Sequence, residues 1–133
     1  MSRSLIQVTN QSTQAVADNS IITLGSVQRR FGCNCKLSGN GIEIVGEGYY
    51  TIDATVTVVP TTAGDVTVAL YNNGVPVTGA VAVSTVATGG TVTLPIVATL
   101  RQGCCCANAD TLTLVLIEGT GTVTNVSIRV EKV

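Results

Sequence analysis

Between Tyr50 and Val58 apolar and polar residues alternate without interruption. Tyr50, Ile52, Ala54, Val56 and Val58 fall on one side, and Thr51, Asp53, Thr55 and Thr57 on the other. A side-chain period of two belongs to a strand, and this pattern predicts one with a single buried face. The period returns at Val66, Val68 and Leu70, and again at Val92, Leu94, Ile96, Ala98 and Leu100. Leu112, Leu114 and Leu116 repeat it, and Val126, Ile128 and Val130 close the chain with it. Leu5–Val8 and Ile21–Leu24 are further candidates, joined by the polar stretch Asn10–Asn19.

Turn chemistry separates these runs. Thr61–Asp65, Asn72-Asn73-Gly74, Gly89-Gly90 and Gly119-Thr120-Gly121 supply residues that accept the positive φ of tight hairpins. Pro95 has no N–H to give to a ladder, so its strand is expected at a sheet edge or with a bulge. No segment combines helical periodicity, a cap and sufficient length. Eight to ten short strands at this spacing predict an all-β antiparallel sandwich or barrel in a single domain.

Several strands also carry apolar residues on the face that should meet water. Val97, Val115 and Ile117 are examples. Coverage by N-terminal strands or loops would explain them, and so would a subunit interface. Composition favours the interface, because only 11% of the 133 residues are charged and 45% are hydrophobic. From Val66 to Leu100 there is no charge at all, yet Asn, Gly and Pro interrupt the stretch and its period is two, which excludes a membrane helix. A membrane barrel would want girdles of aromatic residues, and these are 3% of the chain.

A formal net charge of −1 gives no electrostatic footprint for nucleic acid and no polybasic membrane anchor. Arg29-Arg30 falls well short of a basic patch and reads as a solvated turn. Gln7, Thr9 and Asn10 interrupt the apolar run after Arg3, so no export signal is expected. The glycosylation triplets at Asn10 and Asn125 then read as chance matches.

The segment Gly46-Glu47-Gly48-Tyr49-Tyr50-Thr51-Ile52-Asp53-Ala54, followed by Val68-Ala69-Leu70-Tyr71-Asn72-Asn73-Gly74-Val75-Pro76-Val77-Thr78-Gly79-Ala80, resembles the jelly roll of complement globular heads and tumour necrosis factor. The closing strand Val126–Glu131 fits the same resemblance, which covers residues 20–133. It implies a TNF-like antiparallel jelly-roll sandwich in a homotrimer, with the closing strand near the trimer axis. The expected interface residues are Tyr49, Tyr50, Val126, Ile128 and Val130. Residues 1–19 are expected to form a separate N-terminal arm that attaches the trimer to a particle.

No histidine is present, so the Ser-His-Asp and Cys-His arrangements are ruled out. No pair of carboxylates is placed by its pattern across a cleft, and no phosphate-binding loop occurs. An enzyme is therefore not expected. Cys33, Cys35, Cys104, Cys105 and Cys106 are the unusual feature, and three readings stay open. They are reduced buried residues, or they form disulfides with at least one left over, or they gather a soft metal such as zinc despite unsuitable spacing. No cofactor is otherwise implied. Within the family resembled, a short chain made in the host cytoplasm without a collagen-like stalk is similar to phage virion components: capsid decoration proteins, head fibres or fibre-tip knobs. The expected partners are further copies of itself and capsid or tail proteins. A bacterial surface adhesin that binds a receptor or glycan is the alternative.

Overall fold

The computed structural model describes residues 4–32, 34–87, 89–102 and 110–132. Every regular element among them is a strand: β1 (Ser4–Asn10), β2 (Gln14–Val16), β3 (Ser20–Ile21), β4 (Ser26–Phe31), β5 (Cys35–Ser38), β6 (Gly41–Ile44), β7 (Gly48–Pro60), β8 (Gly64–Asn72), β9 (Val75–Val86), β10 (Val92–Gln102), β11 (Asp110–Glu118) and β12 (Gly121–Lys132). They form two antiparallel sheets. The first runs β10-β7-β12-β1-β4 with β2 beside β12, and the second runs β5-β6-β11-β8-β9 with β3 beside β11. The chain changes sheet at β2–β3, β3–β4, β4–β5, β6–β7, β7–β8, β9–β10, β10–β11 and β11–β12, and this repeated crossing is the winding of a jelly roll.

Alternation decides which residues face between the sheets. On β7, Tyr50, Ile52, Ala54, Val56 and Val58 are buried while Thr51, Asp53, Thr55 and Thr57 are half-buried on the outer face. Val66, Val68 and Leu70 meet them from β8, and Leu112, Leu114 and Leu116 from β11. Burying such side chains is the main force holding two sheets together. The β8–β9 hairpin turns at Asn73 and Gly74, with φ of 53° and 82°. Both values are positive, as a two-residue hairpin with the sheet's own twist requires. Pro95 lies in an edge strand, as its missing N–H predicts.

The expectation of a separate arm over residues 1–19 is corrected by β1. This strand is flanked by β12 and β4, and its register places Ile6 opposite Val130 and Val8 opposite Ile128. Ile6 and Val8 are consequently buried in the core, and Val16 of β2 joins them. Asp18 fastens the following residues: its Oδ1 accepts hydrogen bonds from the Gly119 and Thr120 amides and from the Thr120 hydroxyl. The Thr120 hydroxyl is the first cause holding the Asp18 carboxyl below its ordinary range. Arg29 and Arg30 lie in β4, which corrects the turn expected there.

Candidate functional site

The expected interface residues divide sharply. Tyr50, Val126, Ile128 and Val130 are fully buried within the single chain. β12 lies between β7 and β1, and its apolar set faces the opposite sheet. These side chains have no surface to offer a second chain, so they are core residues and not interface residues. Tyr49 alone is exposed, at 55%, and the Arg101 guanidinium sits 6.0 Å from its ring centre. Of the outward apolar residues, Val97 is open to solvent, whereas Val115 lies between Ile21 and Ala69 and is buried within the chain.

Tyr50 anchors one end of the sandwich. Its hydroxyl donates to the Val45 and Gly46 carbonyls, at 2.8 and 2.9 Å. Asn34 donates to the same Val45 carbonyl at 2.6 Å, and buried Ser4 donates to Asn34 Oδ1 at 2.7 Å. Burial is the first cause raising the Tyr50 hydroxyl, with the neighbouring Cys35 second. Cys35 opposite Ile44 is itself buried, which pushes its thiol up to about 11. Cys33, Cys104, Cys105 and Cys106 lie outside the described residues. β10 ends with Gln102 opposite Gly48, and β11 begins with Asp110 opposite Ile44, so both flanks of 103–109 stand at the Cys35 end.

A thiol that is both buried and hard to ionise is a poor nucleophile, because the thiolate is the reactive form. In a variant retaining only Cys35, the native protein is expected to react with a thiol reagent at pH 8 at least about a hundredfold more slowly than the unfolded chain, from the loss of thiolate alone. Stopped reactions with a chromogenic disulfide measure this, and equal rates would mean that the Cys35 side of the core opens freely.

The exposed apolar residues gather elsewhere. β9 is the edge of one sheet and β10 the edge of the other, and the two strands touch, so together they form one side of the sandwich. No residue from Val75 to Leu100 is charged. Val75 is 64% exposed, Val83 59% and Val97 70%. The opposite side, made by β4 and β5, carries Arg29, Arg30 and Lys36. Natural sheets guard free edges with charges, prolines or bulges, since an unpaired row of N–H and C=O groups invites another chain. β9 carries no charge, and β10 carries only Pro95 and, at its end, Arg101, so these two long edges are lightly guarded. The uncharged stretch is legible in the sequence, but only the topology shows that its last part forms two neighbouring edges, with Val83 on the outer face of one sheet and Val97 on the outer face of the other.

No family model matches the sequence, and no curated protein matches it. Solved structures do match the fold. Murine APRIL superposes with a TM-score of 0.77 at 10% identity, covering 99% of this chain and 100% of that one. The globular domain of zebrafish complement 1qA gives 0.71 at 9% identity, covering 94% of each chain. The vertex protein P5 of PRD1 gives 0.63 at 12% identity, covering 98% of this chain and 96% of that one. The chain therefore has a jelly roll like those of tumour necrosis factor and complement heads, as its sequence leads one to expect.

Proposed function

We propose that the protein is a structural subunit of a virion surface, a capsid decoration, head-fibre or fibre-tip protein that assembles as a homotrimer and acts by protein–protein adhesion. The β9–β10 side, without a charge from Val75 to Leu100, carries this reading. Its exposed valines and free edges suit permanent contact with a further copy, because obligate interfaces are apolar like a divided core. Val75, Val83 and Val97 replace Tyr50 and the β12 residues as the side chains that make the contact. The fold shared with a vertex protein of PRD1 supports the particle, and the fold shared with APRIL and complement 1qA supports a binding module over an enzyme.

Sedimentation equilibrium tests the assembly. The native protein is expected at the mass of three chains. The double variant Val83→Glu, Val97→Glu is expected at the mass of one chain, with an unchanged strand signal in circular dichroism, since neither side chain belongs to the core. A native protein that stays a single chain at high concentration, or a double variant that keeps its mass, overturns the proposal. For the particle, the gene is expected among capsid, portal and tail genes, and a location among export and surface-anchoring genes would favour the adhesin.

A further inference from the structure

The outer face of the β10-β7-β12-β1-β4 sheet holds a second feature, at the β4 end and away from the valines proposed for assembly. A shallow recess of about 500 Å³ opens there, lined by Gln7, Thr9, Gln28, Arg29, Asn125 and Ser127. These residues come from β1, β4 and β12, and the register brings them together. Arg29, Gln7 and Arg129 form one row across the three strands, and Thr9 and Ser127 stand in the next. A β-bulge flanks the recess on either side. In β4 the extra residue is Gln28, and in β12 it is Thr124, beside Asn125. Bulges re-aim side chains and recur next to binding sites.

We infer that this recess binds an acidic saccharide. Among the described residues, the side chains of Gln7, Thr9, Gln28, Asn125 and Ser127 make no hydrogen bond within the protein, while Asn10, Gln14, Asp18, Asn34 and Asn73 are all engaged. Carboxamides and hydroxyls both donate and accept, which matches the hydroxyls of a sugar ring. Arg129 is tied to Asp53, whereas Arg29 reaches only the Gln28 carbonyl and has no carboxylate partner among the described residues. A free guanidinium fork is the group that pairs with a carboxylate. The recess has the volume of an ordinary small-ligand site. One free guanidinium is too little for nucleic acid, and the lining is too polar for an apolar peptide anchor.

Titration calorimetry on the intact purified protein tests this, with a short oligogalacturonate as the acidic probe and a galactose oligomer of equal length as the neutral one. The native protein is expected to bind the acidic probe more tightly. Arg29→Gln, an exposed substitution, is expected to weaken the acidic probe about tenfold and leave the neutral one unchanged. Asn125→Ala, in the lining, should weaken both, and Lys36→Gln on the other sheet neither. Sedimentation of each variant is read alongside, so that a failure of binding is separated from a failure of assembly. No binding of either probe by the native protein, native affinity in Arg29→Gln, or a change of assembly mass in Arg29→Gln overturns the inference. The last result would make the recess a contact between chains.

Discussion

A chain lacking residues 2–10 is expected to be recovered unfolded or aggregated, with no cooperative thermal transition. β1 is flanked by β12 and β4, so its loss strips one neighbour from β12 and leaves β4 without its ladder. Ile6 and Val8 leave the core, and the Ser4 bond to Asn34 is lost. Each buried aliphatic side chain contributes about 1.5–3 kcal/mol. Two of them, with the exposed edge of β12, approach the whole stability of about 5–15 kcal/mol available to a small domain. Circular dichroism during heating, with the soluble yield, measures the outcome. A truncated chain that melts cooperatively and assembles normally would show that β1 is an appendage after all, and the separate arm read from the sequence would stand.

That reading erred for a physical reason. Leu5-Ile6-Gln7-Val8 is legible as a short strand, but it turns only two apolar side chains inward, and the polar stretch Asn10–Asn19 sets it apart from the strong runs. A strand flanked on both sides needs no more than this when its neighbours supply the rest of the core. β4 was hidden for another reason: it is an edge strand whose residues are all exposed, so it has no inward set, and its Arg29-Arg30 pair imitates a turn. Where alternation was strong, on β7, β8, β11 and β12, the inward set was legible residue by residue. Pro95 announced an edge and Asn73-Gly74 a hairpin. The recess was not legible, because it joins β1, β4 and β12 through register and bulges that no local pattern records. Nor did alternation say that a greasy side chain can serve only once. Tyr50, Val126, Ile128 and Val130 carry the inward period and are spent inside the sandwich, so the surface for a second chain had to come from residues outside it.

Ile128→Ala separates these two uses. Ile128 stands opposite Ala54 on one side and Val8 on the other, facing the second sheet with no exposed surface. Truncation leaves a cavity that close-set neighbours fill only in part, and the expected loss is about 2–5 kcal/mol. Urea unfolding at several protein concentrations measures it. The midpoint should fall at every concentration, while the fraction that remains folded keeps the subunit number of the native protein. Val83→Glu with Val97→Glu should do the reverse, dissolving the assembly while each chain keeps its strands. If Ile128→Ala instead lowered only the subunit number, and left the unfolding of a single chain where it was, β12 would have to face a neighbouring chain. The two sheets could then not enclose its apolar side chains as they do here.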